Sequence, residues 1–295
     1  MNTATATKPL VYLILGATGS GRRELIADIL ADAPASGERP FVLLADTELS
    51  AAGTAVATVA ADSTAAAGTA DTASTDDSAT AAATIVRWQW HERSGGPEGL
   101  NGRIETPENF AAAAARIFFI TDGRRNPVDQ IEAFKPWLAS IGGELARIVC
   151  VVNCQLASQH RELTAWYEAC IHFSDVALLA RRDGVPNKWI SDFQARFQKK
   201  FYPCLFEFVK AGRVRNPALV LEPEARRMSH YFDDPDYALA GGAGIEEGFD
   251  EDEDAPRKRQ NDDEIEIVEE IDEYLARRAG GRRVKEIPDV AKFLV

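Results

Sequence analysis

The stretch LVYLILGATGSGRRELIADIL, from Leu10 to Leu30, decides how the rest of the chain is read. Val11 to Leu15 is a short apolar run rich in β-formers, the pattern of a buried strand. From Glu24 onward Leu25, Ile26, Ile29 and Leu30 recur at helical spacing. Between the two lie Gly16, Ala17, Thr18, Gly19, Ser20, Gly21, Arg22 and Arg23. Strand, glycine-rich turn and helix form the context of a phosphate-binding loop. The glycines let backbone N–H groups turn inward onto an anion, and the helix N-terminus adds a favourable partial charge. Two readings stand at this point: an anion loop, or a glycine turn that does no more than pack a helix on a strand.

The spacing from Gly16 to Gly21 fits G-x-x-x-x-G-K-[ST], and the next two letters depart from it. Arg22 stands where a lysine reaches the β- and γ-phosphates, and Arg23 stands where a hydroxyl binds Mg²⁺. A guanidinium is a wide planar fork and does not replace a compact ammonium. An arginine at the metal position also puts positive charge where the cation should sit.

The 295 residues are 45% hydrophobic, enough for one large or two small domains. The formal charge of −13 is uneven, most of the excess falling between Glu246 and Glu273. The acidity therefore describes the tail, and nucleic acid is not an expected partner. Cys150, Cys154, Cys170 and Cys204 lack the spacing of a disulfide framework, which points to a reducing, cytoplasmic setting. No apolar run is long enough to span a bilayer, so no membrane association is expected. The apolar run after Lys8 lacks a convincing cleavage site for a signal peptide.

Along the chain, Pro40 to Ala45 reads as a second strand. It places Asp46, Thr47 and Glu48 at its C-terminal end, the edge where α/β sheets hold ligands. Ala51 to Ala83 is low-complexity Ala, Thr, Ser, Gly and Asp, expected to be a disordered insertion. Thr84 to Trp90 alternates like a half-buried strand, and Ser94 to Gly102 reads as a glycine-rich loop. Thr106 to Arg116 is expected to be a short helix capped by Thr106 or Asn109. Strands follow at Ile117 to Thr121, Arg147 to Asn153, Val176 to Ala180 and Pro203 to Val209. Helices are expected from Asn126-Pro127 to Ile141, from Ser158 to His172 and from Asn187 to Lys200. This alternation predicts an α/β fold: a three-layer, P-loop NTPase-like arrangement with a mostly parallel sheet. Residues 222–263 read as an acidic flexible linker. In 264–295, Glu264 to Arg278 is expected to be an amphipathic helix ending at Gly280-Gly281, with a protein partner as one candidate to cover its apolar face.

Taken together, the strand ends resemble the CobW/HypB/UreG class of P-loop GTPases, and CobW most. The class carries E-[ST]-x-G-x-x-x-P after one strand; this chain has Ile120-Thr121-Asp122-Gly123-Arg124-Arg125-Asn126-Pro127, with Ile120 in place of the acid. The next strand is similar to V-V-D-A at Val151-Val152-Asn153-Cys154. The frame A-D-x-x-L-L-N-K-x-D is matched by Ser174 to Asp183, with Ala180 for Asn and Arg181 for Lys. Gly212 to Leu219 is similar to the segment that closes the family's GTPase domain. The resemblance covers residues 8–221 without the insertion, and the family's cysteine-rich metal motif is missing.

The resemblance implies a guanine-nucleotide site holding GTP or GDP. Its residues would be Gly16, Ala17, Thr18, Gly19, Ser20, Gly21, Arg22, Arg23, Gly123, Arg181 and Asp183. Asp183 would accept the guanine N1–H and exocyclic amine, and Arg181 would lie over the base; a plain turn at Asp183-Gly184 is the bland alternative. Arg124 and Arg125 could join Arg22 and Arg23 in an anion cluster or be unrelated surface arginines. With no proper lysine, hydroxyl or acid, Mg²⁺ is not expected in the usual way and hydrolysis should be weak or lost. A scaffold that binds no nucleotide is the alternative. No nucleophile–base pair, metal ligand set or histidine spacing points to other chemistry, and the cysteines read as buried and structural.

Overall fold

The computed structural model describes residues 8–32, 40–49, 83–92, 101–233 and 272–294. The expected insertion, apart from Ala83, and most of the acidic stretch lie outside the described residues. The chain divides into two compact units, Met1–Met228 with Glu286–Val295, and Ser229–Lys285.

Among the described residues the first unit is built on nine strands: β1 (Leu10–Leu15), β2 (Phe41–Ala45), β3 (Thr84–Glu92), β4 (Gly102–Glu105), β5 (Arg116–Ile120), β6 (Glu144–Asn153), β7 (Val176–Ala180), β8 (Leu205–Lys210) and β9 (Arg213–Val214). They lie in the order β4-β3-β2-β5-β1-β6-β7-β8-β9. The seven inner strands are parallel, and β4 and β9 close the two edges antiparallel. Every residue of β7 is buried, as expected for a strand covered on both faces.

The helices are α1 (Arg22–Asp32), α2 (Pro127–Ser140), α3 (Cys154–Gln159), α4 (Leu163–His172), α5 (Asn187–Gln198) and α6 (Pro217–Leu221). On one face Leu25, Ile26 and Ile29 of α1 and Val220 of α6 pack with Tyr12, Ile14, Phe118, Val149 and Leu178. On the other face Phe119 of β5 meets Phe134 and Trp137 of α2 at 5.3 and 4.8 Å between ring centres. Phe197 of α5 meets Phe206 of β8 on that same side at 5.4 Å. The result is the three-layer, mostly parallel α/β arrangement that the sequence pattern predicts, with the glycine loop leaving a central strand.

Several local expectations are corrected. Gly102 belongs to β4, not to a loop: a side chain there would sit 2.1 Å from the Trp90 indole, so the strand tolerates no Cβ at that point. The helix expected over Thr106 to Arg116 shrinks to one 3₁₀ turn, Phe110–Ala113. Thr106 does not cap it; its hydroxyl accepts from the Trp137 indole at 3.2 Å, and Phe110 stacks over that same indole. The helix expected from Ser158 to His172 is two helices. Asn153 accepts from the Leu156 amide at 3.1 Å and starts α3 directly at the strand end. His160 is then extended (φ −122, ψ 97) and breaks the run. Cys154 thus opens a helix while Cys150 lies within β6; all four cysteines are free and buried.

The first unit also runs beyond Leu221. The Arg226 amide and the Arg227 guanidinium donate to Asp175 at 2.6 and 3.3 Å, tying this segment to the start of β7. Near the C-terminus Asp289 caps the turn Val290–Phe293, and Phe293 lies 5.1 Å from the His160 ring.

Within the second unit, the described part of the expected Glu264 to Arg278 helix is not helical. Asp272 accepts from the Tyr274 amide at 2.9 Å in a turn. Arg277 then bridges to Arg283 in a small hairpin through Gly280 and Gly281, both at positive φ. Lys285 lies 3.9 Å above the Tyr274 ring and pairs with Glu273 at 2.5 Å. Residues 264–271 of that expected helix lie outside the described residues.

Candidate functional site

The C-terminal ends of β1, β2, β5 and β7 meet around the glycine loop. Gly16 leaves β1 at φ 140, and a Cβ there would stand 2.6 Å from the Val151 carbonyl oxygen. Gly19 and Gly21 turn back at φ 79 and 87, so the chain enters α1 at Arg22. These backbone angles are ones that L side chains rarely adopt, which is why the glycines stand there. Ala17 and Ser20 are buried, and Ser20 Oγ has no hydrogen-bond partner among the described residues. That hydroxyl lies 3.2 Å from where a Cβ on Gly16 would be, inside the loop.

Arg22 takes the lysine's place in the sequence but both its terminal nitrogens are bound within the chain. Its Nη1 donates to the Thr121 carbonyl at 2.7 Å and its Nη2 to Glu48 Oε1 at 2.5 Å. Glu48 Oε1 also accepts from the Thr18 hydroxyl at 2.9 Å and from the Gly123 amide at 3.1 Å. One carboxylate oxygen therefore gathers three donors from β1's loop, the head of α1 and the turn after β5. Burial alone would raise the Glu48 carboxyl; Arg22, the Gly123 amide and the Thr18 hydroxyl outweigh it and hold the pKa below the ordinary glutamate value.

Gly123 is pressed against the loop. A Cβ there would lie 2.3 Å from the Thr18 amide nitrogen and 2.7 Å from the Ala17 carbonyl carbon. The Thr18 amide donates to the Gly123 carbonyl at 3.2 Å, so it points away from the loop's interior.

Arg181 adopts φ 50 at the end of β7, which turns its guanidinium over Gly21: a Cβ on Gly21 would be 3.6 Å from Arg181 Nη2. The Arg181 carbonyl accepts from the Gln155 amide at 3.1 Å, and the Gln155 side chain donates to the Asp183 carbonyl at 2.7 Å. Asp183 is exposed beside this turn.

Gly16, Ala17, Thr18, Gly19, Ser20, Gly21, Arg22, Gly123 and Arg181 therefore come together as the spacing implies, with Asp183 two residues beyond Arg181. The four-arginine cluster does not form. Arg124 is exposed. Arg125 pairs with Asp122 at 3.1 Å and Glu92 at 2.5 Å and lies over the Trp90 ring. Burial lowers the Arg87 pKa; Asp46 counters this, and repulsion from Arg23 adds to the lowering more weakly. Ile120 is a core residue.

Glu48 is the residue that sequence reading placed at the ligand edge without giving it a task. The signal in the sequence was limited to an acid just past the C-terminal end of β2, with an arginine in the lysine's place in the glycine loop.

Among the described residues no group of three or more His, Cys, Asp and Glu side chains gathers to hold a metal ion. No described helix is long and apolar enough to cross a membrane.

No family model matches the chain, and no curated protein matches it. Among solved structures, a Zn(II)-bound YjiA GTPase from E. coli is similar over 75% of this chain and 67% of that one, with 13% identity and a TM-score of 0.35. Similarity at that level adds nothing to what the strand order already shows.

Proposed function

We propose that the chain binds a guanine nucleotide and has lost most or all capacity to hydrolyse it. One observation carries the reading: Arg181 spans from the Asp183 turn to Gly21, which puts the residues proposed to read the base on the same sheet edge as the glycine loop proposed to hold the phosphates. The residues fit the diphosphate part of such a ligand. The loop is a cradle of glycines with a helix N-terminus behind it and a buried hydroxyl, Ser20 Oγ, without a partner among the described residues. Asp183 offers an acceptor to the guanine N1–H and exocyclic amine, donors that adenine does not present in that pattern.

Loss of turnover is supported by how the arginines are spent. Phosphoryl transfer needs a metal ion, a positioned water and charge neutralisation at the transferring group. Arg23 supplies no hydroxyl to a metal, and Arg22 is held by Thr121 and Glu48. The ion pair also places a fixed cation against the carboxylate that lies nearest the loop. Mg²⁺ bound in the usual way would have to displace it.

A second reading is favoured by the same Glu48 contact. If the carboxylate closes the whole loop, the chain is a scaffold with a P-loop architecture and no ligand. Chromatography of nucleotide released from freshly purified protein, with thermal shift by GDP and ADP, separates the two. Guanine nucleotide in the eluate, or a shift with GDP that ADP does not give, supports binding. Neither effect supports the scaffold.

A further inference from the structure

We infer that Glu48 occupies the place of a terminal phosphoryl group, so that the site takes a nucleoside diphosphate in preference to a triphosphate. This rests on the nucleotide-binding reading above and sharpens it. The strand order fixes which end of the site is which. Arg181 and Asp183 follow β7, the glycine loop follows β1, Gly123 follows β5 and Glu48 follows β2. A nucleotide with its base at Asp183 must run from β7 across β6 to the loop, and its phosphate chain must point on toward β5. From β7 to β5 is three strand spacings, about 14 Å, which leaves the terminal phosphoryl group at the Gly123 end.

That end is already filled. Thr18 Oγ, the Gly123 amide and Arg22 Nη2 converge on Glu48 Oε1 at 2.9, 3.1 and 2.5 Å. A hydroxyl, a backbone amide and a guanidinium around one oxygen form the donor set that an oxyanion would otherwise satisfy. The carboxylate supplies the anion from within the chain. The half of the loop nearer the base is different. Gly19 and Gly21 turn the backbone toward the head of α1, and the buried Ser20 hydroxyl there has no partner among the described residues.

Glu48 does not move aside cheaply. Arg22 is 3% exposed, so withdrawing its carboxylate leaves a buried cation without a counter-ion. Should Glu48 stay, a third phosphate must share its donors with a like charge. The chain thus holds the turn after β5 against the loop as a triphosphate would, with a diphosphate bound.

The test is calorimetric titration of the full chain with GDP and with a non-hydrolysable GTP analogue, for wild type, Glu48→Gln and Glu48→Ala. Wild type should bind GDP at least about tenfold tighter than the analogue, and both variants should bring the ratio toward one. Equal or tighter binding of the analogue by wild type overturns the inference and leaves nucleotide binding intact. So does an unchanged ratio in a folded variant. Binding of neither ligand by any of the three overturns the nucleotide reading itself and this inference with it. Should the variants fail to fold, the wild-type ratio alone decides.

Discussion

Arg22 Nη2 donates to Glu48 Oε1 at 2.5 Å, with 2% of the arginine side chain and 10% of the glutamate side chain exposed. Breaking such a pair from one side strands a buried charge. Glu48→Ala is expected to cost about 3–5 kcal/mol of unfolding free energy, and Arg22→Met with Glu48→Gln together markedly less than the sum of the singles. Urea denaturation of wild type, Glu48→Ala, Arg22→Met, Glu48→Gln and the Arg22→Met with Glu48→Gln double variant measures this. Additivity within about 0.5 kcal/mol would show that the two side chains do not interact as described.

The same pair sets a pH dependence with a defined sign. Glu48 titrates below an unfolded glutamate, so its contribution is complete above the unfolded value of about 4.3 and is lost as pH falls through the lower folded value. The stability difference between wild type and Glu48→Gln should therefore be constant near neutrality and shrink below about pH 4. Urea midpoints measured from pH 3 to 7 test it. A difference that holds steady down to pH 3 contradicts the assignment.

Gly123 and Gly19 should respond differently to substitution. A Cβ at Gly123 meets backbone atoms of the loop at 2.3 and 2.7 Å, so Gly123→Ala should cost about 1–3 kcal/mol, toward the upper end. Gly19 has open space around it at φ 79, a conformation asparagine tolerates, so Gly19→Asn should stay within about 1 kcal/mol of wild type. Thermal melting orders the two. The reverse order would mean that the turn after β5 does not press on the loop.

Restoring the loop's missing side chains should not restore chemistry. Arg22→Lys with Arg23→Thr supplies a phosphate-binding lysine and a metal-binding hydroxyl. Ile120, Ala180 and Arg181 would remain as they are. Mg²⁺-dependent binding is expected to improve more than phosphate release at saturating GTP. Robust release by wild type would contradict the loss of hydrolysis outright.

What was legible in the sequence was the frame: the apolar strands, the helices between them and the glycine loop on the Leu10 to Leu30 stretch. These patterns are local, and burial on both sheet faces makes the strand runs continuous and easy to see. The misreadings have long-range causes. Gly102 looks like loop sequence until the Trp90 ring is found lying over it. Thr106 looks like a cap until it is found serving Trp137, 31 positions away. Within the site, the loop residues and Arg181 were legible because their spacing is fixed by strand ends. Glu48 was visible only as an acid at the right edge. Its contact with Arg22 depends on β2 lying next to β5, and that neighbour relation is written in no local pattern.

Base-selective nucleotide binding at Asp183 is the central property expected of this chain. Calorimetric titration of the full chain with GDP and ADP, in wild type and Asp183→Ala, measures it most directly. A carboxylate accepting two donors is worth roughly 1.5–3 kcal/mol, or about ten- to a hundredfold in affinity. Wild type should bind one GDP at least about tenfold tighter than ADP, and Asp183→Ala should lose that margin while keeping its fold. Equal affinities in wild type, or no binding of GDP, would contradict it.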